Sequence, residues 1–175
     1  MRNEEMNLSQ HFKLGELCKT KTGIENVPNE EQVENLKRVC QWLEQLRLRY
    51  NQMRKEKGEM RTIGRRPKGK SNGNEEMRNE VGEYPIVINS GFRSPAVNKA
   101  VGGVPTSNHT TGCAVDIRCI GIEQALRYAA ILLDISDLNK EDFDELLIEQ
   151  KGRVIWIHFA VKPSYNRRRT NLSKG

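Results

Sequence analysis

The clearest pattern of apolar residues along the chain is a helical one. In PNEEQVENLKRVCQWLEQLRLRY they recur every three to four residues, at Val33, Leu36, Val39, Leu43 and Leu46. This spacing predicts an amphipathic helix that buries one face. Asn29 can cap its first backbone N–H groups, and Glu30 and Glu31 lie where they favour the positive end of the helix dipole.

Beyond residue 83 the pattern favours short strands. YPIVINSG holds a short apolar run, CAVDIRCI alternates apolar and polar residues, and FDELLIEQ and RVIWIHFAV flank Lys151-Gly152, which predicts an antiparallel hairpin centred on that pair. GIEQALRYAAILLD predicts a second long helix, with one face formed by Ile122, Ala125, Leu126, Ala129 and Leu133. We therefore expect an α+β fold, in which helices pack on a small antiparallel or mixed sheet.

One stretch of the chain shows neither the helical nor the strand period of apolar residues. Residues 51–83 are poor in large apolar side chains and rich in Gly, Lys, Arg and Asn. We interpret them as a flexible basic insertion in a single domain that spans residues 1–175. Ten Lys or Arg and two Glu fall between Arg47 and Lys70, a local charge of +8 against +6 for the whole chain. Such runs are usually solvated and only sometimes bind polyanions.

Two further features limit the class of protein. No apolar run approaches the roughly 20 residues of a membrane span, and the start MRNEEMNLSQ lacks the layout of a signal peptide. We expect a protein made in the cytoplasm, without a membrane span. Four cysteines, at 18, 40, 113 and 119, show no CxxC spacing, so free buried thiols are the first expectation, with a Cys113–Cys119 disulfide left open.

Candidate chemistry centres on the histidines, of which the chain has three. His109 lies in a polar loop, Asp116 seven residues later in a predicted strand, and His158 in the last apolar strand. A catalytic zinc uses three such ligands and keeps one position open. Spacing alone also fits three unrelated residues. The sequence around the first two, from Ser107 to Asp116, matches SxHxxGxAxD at every specified position.

This frame resembles peptidase family M15, and most closely its zinc D-Ala-D-Ala carboxypeptidase branch. NLSQHFKLGELCKT, INSGFRSPAVNKAVGGVPTSNHTTGCAVDI and WIHFAV follow in the order typical of that family. The resemblance implies a D,D-peptidase-like fold of the Hedgehog/DD-peptidase type. It also implies one Zn²⁺ bound by His109, Asp116 and His158, and hydrolysis of peptidoglycan stem peptides by carboxypeptidase or endopeptidase activity.

The general base is not given by the motif. Family members often carry an acid three residues before the last histidine, where this chain has Ile155. Strand alternation instead puts Glu149 and Glu145 on the hairpin face of His158. FDELLIE resembles a family stretch that ends in a glutamate, so we predict Glu149 as base and then acid, with Glu145 as the alternative. Either one could instead be a solvated hairpin residue.

Three more residues are candidates for substrate contacts. Arg93 resembles the family arginine that meets a substrate carboxylate or the developing oxyanion, although it could instead pin a surface loop. Ser107 is expected to bind substrate or orient a ligand, or to serve as a plain turn residue. Trp156 is expected to form the pocket wall or to pack in the core.

Two other functions compete with a cell-wall peptidase. A zinc-containing wall-binding module without turnover is suggested by Ile155. A nucleic-acid-binding protein is suggested by the +8 segment and by the basic tail KPSYNRRRTNLSKG. Interleaved aromatic residues and a recognisable nucleic-acid-binding motif are lacking, so no nucleic-acid partner is expected. We expect a monomer that acts on peptidoglycan peptides at the bacterial cell wall once released or exported, and a phage-type lysin is one form that this role can take.

Overall fold

A computed structural model describes residues 5–57 and 82–174. Its architecture is α+β, as the sequence predicts. The helices are α1 (Leu14–Leu17), α2 (Glu30–Glu56), α3 (Pro95–Ala100) and α4 (Ile122–Asn139), with a short 3-10 helix at Asn108–Thr111. The strands are β1 (Ile88–Ser90), β2 (Ala114–Cys119), β3 (Glu145–Lys151), β4 (Val154–Ala160) and β5 (Arg169–Lys174).

All five strands form one mixed sheet in the order β1-β2-β4-β3-β5. Neighbouring strands are antiparallel except β3 and β5, which run parallel. Strand β4 is therefore central, and its residue His158 lies opposite Asp116 of β2 and Leu147 of β3. Because directly opposite residues point to the same face, this register puts Asp116 and His158 side by side.

The other face of the sheet carries the hydrophobic core, under α2 and α4. Helix α2 begins after Asn29, which forms a reciprocal capping box with Gln32. Trp42 of α2 packs against Phe159 of β4, with 5.3 Å between ring centroids. The residues that fill this core are fully buried and include Leu36, Val39, Leu43, Leu46, Val115, Ile117, Ile157 and Phe159.

The predicted inner face of α4 is wrong in part. Ile122 and Leu126 are 48% and 56% exposed, whereas Tyr128, Leu132 and Ile135 face the core. Apolar residues surround most of this helix, so their period predicts a helix without fixing which side is buried.

The hairpin differs slightly from the expected one. Lys151 pairs with Val154, so the turn is Gly152-Arg153 rather than Lys151-Gly152, and Gly152 has a positive φ of 59°. Pairing is thereby shifted by two residues from the predicted register. Since side chains alternate between faces, a shift of two leaves every side chain on its expected face.

The predicted insertion begins too early. Helix α2 continues to Glu56, because Arg54 and Lys55 are good helix formers that also favour the negative end of its dipole. Asn51 forms hydrogen bonds with the backbone of Tyr84, at 2.7 Å to its N and 3.0 Å to its O. The rest of the predicted insertion, residues 58–81, lies outside the described residues.

The basic tail contains a strand that the sequence did not predict. Residues Arg169–Lys174 form β5, which pairs with β3 at the edge of the sheet. An edge strand need not bury an apolar face, and its Leu172 is 62% exposed. The apolar-polar alternation on which strand prediction depends is therefore missing here.

The four cysteines are free. Cys113 and Cys119 lie at opposite ends of β2, roughly 20 Å apart at the rise of a β-strand, whereas a disulfide needs Cα atoms within about 7 Å. The bridge left open by the sequence is thus excluded. Burial raises the pKa of Cys18, Cys40 and Cys119 to about 12, which makes these thiols unreactive. Among the described helices, none combines the length and apolarity needed to cross a bilayer.

Candidate metal centre and cleft

Three buried side chains converge on the open face of the sheet. Asp116 Oδ1 lies 3.2 Å from His109 Nε2 and 3.1 Å from His158 Nδ1, and the two ring nitrogens are 3.2 Å apart. The 3-10 helix supplies His109, while β2 and β4 supply the other two residues. The three residues that the sequence suggested as metal ligands are therefore brought together.

The outer nitrogen of each imidazole, which faces away from the other two candidate ligands, has a hydrogen-bond acceptor next to it. This acceptor determines which ring nitrogen carries the proton. His109 Nδ1 lies 2.6 Å from the Gly91 carbonyl oxygen, which can only accept a hydrogen bond. His158 Nε2 lies 3.2 Å from the Glu145 carboxylate. When each ring is neutral and these nitrogens carry its proton, His109 Nε2 and His158 Nδ1 are the unprotonated nitrogens that face each other and Asp116.

This arrangement fits a zinc ion. Three lone pairs at such distances repel one another unless a cation lies between them. Ligands around tetrahedral zinc, with bonds of about 2.0–2.1 Å, lie roughly 3.4 Å apart, close to the observed spacing. Two imidazoles and one carboxylate are also ligand types that zinc accepts in catalytic sites. His109, Asp116 and His158 thus form a group that could hold a metal ion.

Interactions among the candidate ligands and Glu145 shift the pKa values of Asp116 and His158. Burial alone would raise the pKa of Asp116, but His109 and His158 hold it well below its ordinary value. Burial opposes the charged form of His158, yet Asp116 and Glu145 raise the pKa of its imidazole to about 9. The site is therefore built to stabilise positive charge between these side chains.

Helix α2 holds the loop that carries His109. Gln32 Nε2 donates to the Thr110 carbonyl at 3.0 Å, and Asn35 Nδ2 donates to the Thr111 carbonyl at 2.9 Å. The loop ends at Gly112, whose φ is +73°, and a Cβ there would lie 2.5 Å from the Gln32 carbonyl oxygen. The glycine of the sequence motif is thus required by both backbone conformation and close packing.

The three candidate ligands lie in a cleft of about 450 Å³. Val101 and Val104, which follow α3, are exposed along one rim. Trp156 and Glu149 of the hairpin also line the cleft, as do Arg167 and Arg169. The cleft therefore offers apolar, acidic and cationic contacts around one group of candidate metal ligands.

Comparison with known proteins identifies the family. The sequence profile described as Peptidase M15 matches residues 54–145, a little over half of the chain. The chain belongs to the peptidase M15 family. The matched region includes His109 and Asp116 and ends before His158. A zinc D-Ala-D-Ala carboxypeptidase of Streptomyces albus G is 46% identical to this M15 peptidase over 41 residues.

That second similarity is local. It covers 23% of this chain and 16% of the Streptomyces protein. The family is described as one of peptidases, and the name of the Streptomyces relative adds zinc and carboxypeptidase activity. The α+β architecture with its mixed sheet agrees with this family.

Arg93 of this M15 peptidase borders both the ligand loop and the cleft. Its Nη2 forms an ion pair with Asp116 Oδ2, and its Nε donates to Ser90 Oγ at 2.8 Å. Its backbone N donates to the His109 carbonyl at 3.1 Å. The side chain is only 17% exposed, so Arg93 fastens the loop and also lines the cleft.

The other predicted cleft residues have distinct contacts. Ser107 caps the 3-10 helix, and its Oγ accepts a hydrogen bond from His109 N at 3.4 Å. Trp156 lines the cleft and donates its indole N–H to Glu149 Oε2 at 2.7 Å. Glu145, by contrast, directs Oε2 at His158 and Oε1 at Arg167 and Arg169.

Sequence reasoning missed the residues around Glu145. Asn108 Nδ2 donates to Glu145 Oε2 at 3.1 Å and to Asp144 Oδ2 at 2.9 Å, and Arg167 pairs with both acids. The position of Asn108 next to His109 was a usable signal. The arginines gave none, because their approach to the cleft depends on the unpredicted strand β5.

Proposed function

We propose that this M15 peptidase hydrolyses peptidoglycan stem peptides, as a D,D-carboxypeptidase or an endopeptidase, with one Zn²⁺ bound by His109, Asp116 and His158. The observation that carries the proposal is the close triangle of three lone-pair donors in a cleft of about 450 Å³. Zinc bound there would polarise the scissile carbonyl and lower the pKa of a bound water.

The substrate class is supported by the relative's name, which states activity on D-Ala-D-Ala. The walls of the cleft combine Val101 and Val104 with charged groups. A stem peptide carries both small apolar side chains and carboxylates. The former can contact the two valines, and the latter can pair with the arginines that line the cleft. Such a substrate implies action at the bacterial cell wall after release or export, as for a phage-type lysin.

Glu149 is the proposed general base and later acid. Trp156 anchors one of its oxygens, leaving the carboxylate on the cleft wall to take a proton from the attacking water and pass it to the leaving amine. Glu145 is less suited to that task, since both of its oxygens are engaged by His158, Asn108 and the two arginines.

The strand geometry also explains Ile155. A residue three positions before His158 on a regular strand points to the opposite face of the sheet. Ile155 accordingly packs against the hydrophobic core. Because position 155 faces the core here, the proposal takes the base from the neighbouring strand, where Glu149 lies opposite Trp156.

Arg93 is the proposed electrophilic contact for substrate. Its guanidinium is already oriented by Asp116 and Ser90, so little side-chain freedom is lost on binding. A fixed planar cation next to the metal ligands suits a carboxylate or a developing oxyanion. Ser107 keeps the His109 loop in shape through its cap, and Trp156 forms the wall.

The test combines metal analysis with peptide hydrolysis. We expect one zinc per chain and cleavage of a stem peptide ending in D-Ala-D-Ala, or of a cross-linked dimer. His158→Ala should lose both zinc and activity. Glu149→Gln should keep zinc while kcat falls by about 10²–10⁴-fold. Glu123→Gln, the same change on an exposed α4 residue, should match the wild type.

Two results would contradict the proposal. Wild-type protein that binds no zinc would remove its basis. Zinc-loaded protein that binds wall fragments but releases no product from either substrate would favour the zinc-containing wall-binding module.

A further inference from the structure

The three consecutive arginines near the end of the chain point in two directions. Arg167 and Arg169 line the cleft. Arg168 lies on the other side, where it pairs with Asp137 and Asp142 and donates to Ser136 Oγ at 2.9 Å. This segment, which in sequence resembles a solvated basic tail, is therefore folded against two parts of the protein by ion pairs.

Glu145 is the centre of the contacts on the cleft side. Its Oε1 lies 2.9 Å from Arg167 Nη2 and 3.1 Å from Arg169 Nη1. Its Oε2 lies 3.2 Å from His158 Nε2 and 3.1 Å from Asn108 Nδ2. One carboxylate oxygen is thus held by the C-terminal segment while the other faces the metal-binding histidine.

We propose that Glu145 is a positioning residue for His158, and that Arg167 and Arg169 hold its carboxylate in place. The inference rests on the zinc site of the proposed function. A carboxylate bonded to the outer nitrogen of a metal-binding imidazole fixes its tautomer and makes the inner nitrogen a better ligand. Here Asn108 and His158 contact one oxygen of that carboxylate, and the two arginines contact the other.

Asp144 extends this arrangement to the second histidine. It is fully buried and accepts hydrogen bonds from Arg167 at 2.9 Å to Nε and 2.6 Å to Nη2. Asn108, which precedes His109, donates to both Asp144 and Glu145. Asp144 immediately precedes β3, and Glu145 is its first residue. These two carboxylates therefore connect the C-terminal arginines to the loop of His109 and to His158.

The first test measures zinc affinity by competition with a chelator. Glu145→Gln keeps an acceptor for the imidazole but loses the charge, and we expect zinc affinity to fall by about 10–100-fold. The matched control is Glu149→Gln on the same face of β3, whose carboxylate accepts a hydrogen bond from Trp156 rather than from His158, and it should retain near wild-type zinc affinity.

The second test compares Arg169 with Arg168 through the exchange rate of the His158 ring proton. Because the chain has three histidines, the ring protons of zinc-loaded, ¹⁵N-histidine-labelled protein can be assigned by NMR. Wild type should show His158 protonated at Nε2 with slow exchange. Arg169→Gln, at a half-exposed residue, should accelerate that exchange severalfold. Arg168→Gln removes the same charge one residue away and should leave it unchanged.

The outcomes distinguish this inference from the function on which it rests. Equal zinc affinity of wild type and Glu145→Gln, or equal exchange in the Arg168 and Arg169 variants, would overturn the positioning role while leaving the zinc site intact. Wild-type protein without bound zinc would overturn the proposed function and this inference together.

Discussion

The two faces of the sheet are built from alternate residues of the same strands, yet they are stabilised in different ways. On the helix side, Ile157 and Phe159 pack among apolar side chains of α2 and α4. On the cleft side, His158 and Asp116 are nearly as buried, but each contacts a charged neighbour. On the helix side, close packing of apolar side chains excludes water. On the cleft side, ion pairs compensate the buried charges.

The difference has a physical consequence for mutations. Burial of apolar surface tolerates exchanges that conserve volume, because the hydrophobic effect has no direction. Buried charges tolerate very little, since removal of one partner leaves the other uncompensated. We therefore expect the helix side to govern folding stability and the cleft side to govern metal binding.

Adjacent residues on β4 give the largest expected contrast. Ile157→Ala should lower the free energy of unfolding by about 2–5 kcal/mol, through a cavity in the core, and retain zinc. His158→Ala should lose zinc entirely, and its unfolding by urea is compared with that of metal-free wild type because the substitution also removes a partner of Asp116 and Glu145. Loss of zinc from a folded Ile157→Ala protein would show that the two faces do not act separately.

Asp144 tests whether charge pairing stabilises the fold. Arg167, Lys162 and Asn108 hold the pKa of this carboxyl well below its ordinary 3.8, although burial opposes them. A lowered pKa contributes stability that is full above about pH 5 and is lost as the pH falls toward the folded-state pKa. Asp144→Asn should destabilise by roughly 3 kcal/mol at pH 7, with a gap from wild type that narrows toward pH 3. A gap constant with pH in urea titrations would contradict this role.

Gly112 lies at the junction between α2 and the ligand loop. Gly112→Ala should cost about 1–3 kcal/mol, because it combines a positive φ with contact against Gln32. It should also weaken zinc binding by displacing His109. Gly152→Ala is the control, since its φ is positive but no atom lies within 4 Å of the added Cβ. Equal effects of the two substitutions on zinc affinity would argue against this packing constraint.

The smallest expected effect concerns the outer side of α4. Leu126→Ala should change the free energy of unfolding by less than about 0.5 kcal/mol, because this side chain is mostly exposed. Leu132→Ala, six residues later and fully buried, is the matched comparison in the same denaturation experiment. A large loss for Leu126→Ala would indicate that the sequence-predicted face of the helix is the packed one.

Features with a strong local signal could be predicted from the sequence. Helix α2 combines a capping residue with a regular apolar period, and the motif around His109 fixes both a ligand loop and its glycine. The face shared by Glu149, Trp156 and His158 follows from strand alternation, and for that reason survives a register shift of two residues.

Features determined by tertiary contacts could not be predicted. The buried side of α4 depends on where α2 and the sheet lie, because its apolar residues surround most of the helix. The contacts of Glu145 depend on Arg167 and Arg169, which approach it only because β5 pairs with β3. In the sequence, this glutamate therefore resembled an alternative base rather than a residue already engaged on both oxygens.

Strand β5 also protects the edge of the sheet. A proteolytic cut ahead of residue 167 would release the arginines from Glu145 and strip β3 of its parallel neighbour. The exposed backbone N–H and C=O groups of β3 would then be available to pair with another chain. On the proposed function, loss of the segment from residue 167 onward would therefore both weaken the zinc site and promote self-association, although none of the three candidate metal ligands had been removed.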